Sequence, residues 1–213
     1  MNSNISGMIK PTILRTPPSV DGSFGGSQMW LASPLMQNCG CGVIAGLDTV
    51  MRLTGEGEIT REEYLKRFDE AARYIRPVML PGKHDKPRMI FGNEFMGSFG
   101  VTAGRFKRGT KKYAASLGIR IKIKCFILNY EEKVKEYLEM GVPVVALLSA
   151  PLCNIMIVNC NGAGGNINFH WVTCTGIDDK RLEVSSWGEK YYIDLANLDK
   201  VSVGVKFYAI LPE

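Results

Sequence analysis

Apolar and polar positions change their period several times along this chain. Residues 1–34 are rich in Pro, Ser and Gly and keep no period, which predicts an irregular arm wrapped on the surface. From Cys41 onward, Val43, Ile44, Leu47, Val50 and Met51 recur at helical spacing, with Gly55 just past the last turn. This predicts a buried helix that starts at Cys41. Thr60 and Glu63 form a capping box ahead of a second helix, with Tyr64, Leu65, Phe68, Ala71 and Ala72 as its apolar stripe. That helix ends by Arg76, because proline at 77 disfavours helix at the residue before it. Residues 77–100 read as a long loop containing Gly and Pro, expected to border a cleft. Thr102 opens a third helix ending near Gly118, and residues 130–140 form a fourth.

The remainder has the period of strands. Ile119, Ile121 and Ile123 alternate with Arg120, Lys122 and Lys124, the pattern of a half-exposed strand. Further strands are predicted at 142–148, 154–159, 168–177, 181–186, 189–194 and 203–211. Helices followed by a mainly antiparallel sheet make an α+β fold. The expected organisation is one domain over 35–213, with a helical half at about 41–118 and a sheet half at about 119–213.

Composition changes this picture little. The 213 residues include 46% hydrophobic and 22% charged side chains, enough for one core. The net charge of +5 is too small to imply a nucleic-acid partner. No apolar run is long enough to span a bilayer and residues 1–20 show no secretory leader, so no membrane partner is expected and the location expected is the cytoplasm. Of the six cysteines, Cys125 and Cys174 fall in apolar strand-like runs and are expected to be small buried hydrophobes. Cys153 and Cys160 can pair, but nothing requires it.

Cys39 and Cys41 have unusual neighbours, in Gln37-Asn38-Cys39-Gly40-Cys41-Gly42. A thiol at the first turn of a helix faces the positive end of the dipole, which lowers its pKa and makes it a nucleophile. Gly40 and Gly42 would let a substrate approach the backbone, and the Gln37 amide would serve an oxyanion hole. The chain has two histidines, and His84 lies in a polar loop. His170 heads an apolar strand in Asn168-Phe169-His170-Trp171-Val172-Thr173-Cys174-Thr175-Gly176, so it is the candidate base. The next strand carries Val184-Ser185-Ser186-Trp187-Gly188, where a polar side chain can hold the second imidazole nitrogen and a tryptophan can shield it.

A glutamine before a cysteine that opens a long helix, a histidine heading an apolar strand that runs to glycine, and a Ser-Trp-Gly segment resemble the papain-like cysteine peptidases. The Cys-Gly step and the length are closer to the bacterial bacteriocin-leader peptidases and their small relatives. The resemblance implies a papain-like fold with the nucleophile helix packed on the sheet. It implies amide cleavage through a Cys41 thioester with His170 as base, and a peptide or protein as substrate. Gln37 would be the oxyanion donor and Ser185 the residue that orients His170. Gly40, Gly42, Trp171 and Trp187 would line the substrate site, and no metal or cofactor is implied. Ser185 stands where the family keeps Asn or Asp, and Gln37 lies closer to the cysteine than is usual there.

Five other readings stay open at this point. Cys39 competes as nucleophile. An acyltransferase would use the same thioester, and an inactive binding module would keep only the fold. A metal site of Cys39, Cys41 and His170 is disfavoured, because Cys-x-Cys is tighter than zinc spacing and no second Cys/His pair matches it. The basic run Arg105 to Lys112 is read either as a solvated helix face or as a grip for phosphate or an acidic peptide.

Overall fold

The computed structural model describes residues 13–79, 88–90, 93–95, 98–149, 155–200 and 204–213. It is an α+β fold. Its centre is an eight-stranded antiparallel sheet with strand order β6(Ile121–Phe126), β13(Val205–Pro212), β7(Val144–Leu148), β10(His170–Ile177), β11(Arg181–Ser186), β12(Glu189–Asp194), β8(Ile155–Asn159) and β9(Gly164–Ile167). The helix α2(Cys41–Thr54) lies on one face with α3(Arg61–Ala72) and α4(Ala103–Ser116), and α5(Tyr130–Glu139) lies on the other.

Both faces of the sheet are therefore covered, and the strands show it. On β7, Val145 joins the core under α2 while Val144, Ala146 and Leu148 join the core under α5. A strand buried on both sides has no polar alternation, which is why 142–148 reads as a continuous apolar run. Helix α2 lies so deep that every residue except Thr54 is buried. Its end is set by Gly55, which takes the left-handed conformation at φ 77 and closes the last turn. Helix α3 starts with both halves of the Thr60–Glu63 capping box formed. Among the described residues no helix is long and apolar enough to cross a membrane.

Three expectations fail. First, the arm read as irregular over 1–34 is ordered where it is described. Strands β1(Ser19–Val20) and β2(Ser23–Phe24) pair with each other, and β1 pairs in parallel with β3(Glu58–Ile59). A 3₁₀ turn at Gln28–Trp30 follows, and α1(Pro34–Cys39) starts with Ser33 as cap and Pro at its first position. Second, Cys125 is exposed, because β6 is the outermost strand and the core that takes in Ile121 and Ile123 does not reach it; Cys174 is buried as expected. Third, strands β4(Arg88–Ile90) and β5(Asn93–Phe95), which pair antiparallel within the stretch read as a loop, strand β9 and the short helix α6(Leu195–Lys200) occur where no element was predicted.

Candidate functional site

Cys41 is the first residue of α2, and Cys39 is the last residue of α1, with Gly40 bridging the two helices. Both thiols are buried, at 3% exposure for Cys39 and 6% for Cys41. Cys41 lines a small cavity together with His170, Gly26, Gln28, Asp48, Thr173, Ser185, Ser186 and Trp187. Its free volume is about 10 Å³, room for about one water molecule.

The thiol does not behave as its place on the helix predicts. Backbone N–H groups of Trp171, Gly42 and Cys41 itself face the sulfur and favour the thiolate, as a helix N-terminus should. Burial outweighs them and pushes the Cys41 pKa up to about 11. Burial also lowers His170 to about 4. At rest Cys41 is thus a neutral thiol and His170 a neutral imidazole. Burial raises Cys39 as well, against a hydrogen bond from Ser98 that lowers it.

His170 Nε2 lies 2.7 Å from Ser186 Oγ, and Nδ1 has no partner among the described residues. Ser185, expected to orient the histidine, does not touch it; its hydroxyl donates to the Phe24 carbonyl at 2.7 Å. Register explains the difference. Thr173 of β10 opposes Ser185 of β11, so the facing row passes through Thr173 and Ser185 while His170 and Ser186 belong to the alternate row.

Trp187 stacks on the imidazole, with ring centroids 4.5 Å apart and planes at 19°. It occupies the first central position of the two-residue turn between β11 and β12, at φ 50, followed by Gly188 at φ 79. Phe169, just before His170, is also left-handed at φ 53. Bulky side chains rarely adopt this conformation and pay about 1 kcal/mol or more for it. Two such residues flank one histidine.

Other predicted site residues play different parts. Gln37 turns away from the cavity and its amide donates to the Leu31 carbonyl at 2.7 Å. The glutamine that lines the cavity is Gln28, held by a bond from Nε2 to the Gln37 carbonyl. Gly42 is needed for packing, since a Cβ there would sit 2.6 Å from Val101 and 3.0 Å from Trp171. Gly40 is closed off in the same way by the Met36 carbonyl and Leu31. The Trp171 ring belongs to the core, stacked on Phe106 at 4.2 Å with its N–H on the Val101 carbonyl.

Sequence reasoning missed Asp48 and Arg52, read only as part of a buried helix. Asp48 lies two turns after Cys41 on the same face. It accepts from Tyr64 Oη and from the Gly26 N–H at 3.1 Å, and burial raises it to about 6. Arg52 is fully buried and donates to the carbonyls of Leu14, Arg15 and Cys174. The signal available was the presence of two charges inside an otherwise apolar helix, because charge that deep must be paired.

Among the described residues no group of three or more His, Cys, Asp and Glu side chains is placed to hold a metal ion, so Cys39, Cys41 and His170 do not converge as ligands. His84, Cys153 and half of 77–100 lie outside the described residues. The C-terminal end of that stretch reaches the site: Ser98 faces Cys39, and Val101, just after it, lies against Gly42. No family model and no curated protein matches this chain.

Proposed function

We propose that this protein is a thiol-dependent hydrolase of papain-like type that cleaves an amide bond through a Cys41 thioester. The observation that carries the reading is the shared cavity: Cys41, at the start of a buried helix, and His170, held at one nitrogen by Ser186, both line it. For Nδ1 to act as base, Nε2 must carry the hydrogen and donate it to Ser186 Oγ. The Cys41 sulfur then attacks the carbonyl carbon as its proton passes to Nδ1. The oxyanion that forms is met by the Cys41 N–H and by the second amide hydrogen of Gln28. Collapse breaks the C–N bond, with His170 returning the proton to the leaving amine. Water gives a proton to His170 as it adds to the acyl carbon; the C–S bond then breaks, the acid leaves, and the proton passes from His170 back to the Cys41 sulfur.

A second reading is favoured by the small cavity and by the neutral thiol and imidazole, namely a binding module on the same fold without turnover. A peptidyl epoxide or vinyl sulfone, followed by mapping of the modified cysteine, separates the two. The hydrolase reading expects the label on Cys41 and its loss in His170→Ala. Label on Cys39 moves the nucleophile, and label spread over the exposed Cys125 and Cys160 favours the binding module.

A further inference from the structure

Charge is distributed unevenly over this chain. Residues 95–130 hold eight Lys and Arg and no Asp or Glu, which leaves 18 basic against 21 acidic residues elsewhere. Five of the eight lie on α4, where Arg105, Lys107, Arg108, Lys111 and Lys112 are all exposed. At about 100° per residue they share one arc of about 160°, opposite the buried Phe106, Gly109, Thr110, Tyr113 and Ala114. None of the five makes an ion pair among the described residues. Arg105 donates instead to the carbonyls of Arg76 and Pro77.

Like charges three and four residues apart repel and weaken a helix, so folding alone does not favour this arc. Between the cations lie only Gly104 and Ala115. The arc has no bulky apolar side chain to enter a bilayer and no aromatic ring on which a base can stack. It does have the charge and the backbone length to hold an acidic peptide. Its position adds a second argument. The segment leading into α4 packs beside the Cys41 cavity, since Val101 lies against Gly42, next to Cys41, and accepts the indole N–H of Trp171, which lines that cavity.

We infer that the exposed face of α4 binds an acidic stretch of the polypeptide whose scissile bond is presented to Cys41. This rests on the hydrolase reading of Cys41 and His170. The 14-residue helix is about 21 Å long, which matches about six extended residues. The acidic stretch is therefore of that length and is offset from the bond that is cut.

The test uses the full chain carrying Cys41→Ala, so that binding is read without turnover. Fluorescence anisotropy follows a labelled hexaglutamate peptide, with vesicles of phosphatidylserine in phosphatidylcholine and a short single-stranded DNA as rivals. The expected result is that the peptide binds in preference to both rivals. Arg108→Glu, Lys111→Glu and Lys112→Glu combined should weaken it about tenfold or more. These side chains are exposed, and an unchanged circular dichroism spectrum shows that the variant folds. Equal binding by the variant, or preference for vesicles or DNA, overturns the inference. Iodoacetamide labelling of Cys41, measured with the thiol present, should not respond to the three reversals. If the hexaglutamate binds this face while the peptidyl epoxide leaves Cys41 unlabelled, the hydrolase reading fails and the docking face stands. If Cys41 is labelled but the peptide does not bind, only the docking face fails.

Discussion

In the proposed reaction His170 acts at Nδ1, and a partner on Nε2 fixes the tautomer that leaves Nδ1 free, so the residue on Nε2 matters more than its neighbours. The 2.7 Å contact to Ser186 assigns that place, and the Ser185 bond to Phe24 assigns Ser185 to holding the arm. Ser186→Ala should slow labelling of Cys41 by a peptidyl epoxide by roughly fivefold to tenfold, the worth of one modest hydrogen bond. It should also lower stability by about 1 kcal/mol, because the bond it removes is buried. Ser185→Ala should lower stability by about as much through its own lost bond while sparing the chemistry. Equal effects of the two variants on labelling would mean that register does not decide which serine serves the histidine. The four-residue motif placed the right strand and turn in the sequence but chose the wrong serine. A period of two makes adjacent residues face opposite ways, and only the pairing with β10 says which faces His170. Gln37 was misread for a similar reason: distance along the chain does not say which of two nearby amides turns inward.

Helix α2 shows what an element contributes beyond its first residue. Cys41, Ile44, Ala45 and Asp48 form one stripe that faces the cavity. Asp48 ties that stripe to α3 through Tyr64 and to the N-terminal arm through Gly26. Burial raises its pKa from 3.8 to about 6, against the hydrogen bonds and Arg52, which lower it. The folded protein thus binds this proton more tightly than the unfolded chain does. The stabilisation is complete below the unfolded value and is lost as pH rises through the window from about 4 to about 6, by about 3 kcal/mol for this one group. Asp48→Asn cannot titrate. Urea midpoints taken across that window should show the wild type losing stability relative to the variant as pH rises. Parallel curves would mean that Asp48 is charged throughout, with Arg52 as its counter-ion. The long helices were legible because period and caps agree over several turns. The two-residue strands β1, β2 and β3 were not, because each exists only by pairing with a distant segment.

At the scale of the molecule, the cavity is the place where three parts meet: α2, the end of the sheet carrying His170 and Ser186, and the arm that supplies Gly26 and Gln28. The order of helices and strands, and so the α+β class, could be read from the sequence because apolar periodicity reports which residues are covered. The cover supplied by the arm could not, because its residues touch the rest through glycines whose need is set by their neighbours. Gly25 sits at φ 82, and a Cβ there would meet Ser185 Oγ and lie 2.7 Å from Asp48 Oδ2. Phe24 on one side bonds the Gly188 carbonyl through its N–H, and Gly26 on the other bonds Asp48. Gly25→Ala should therefore lift this stretch of arm from α2 and the β11–β12 turn while the sheet stays folded. With the arm lifted, water reaches Cys41 and His170, and the burial that holds the thiol at about 11 and the imidazole at about 4 is relieved. The pH profile of iodoacetamide labelling reads this directly. In the wild type the rate should keep climbing through pH 9 and 10, because the thiolate fraction grows about tenfold per unit below its pKa. In Gly25→Ala the same curve should move to lower pH, and labelling at pH 7 should rise by about tenfold or more. A variant that folds, as judged by circular dichroism, yet keeps the wild-type curve would show that the arm does not seal the cavity. The neutral state of the pair would then be set by α2 and the sheet alone.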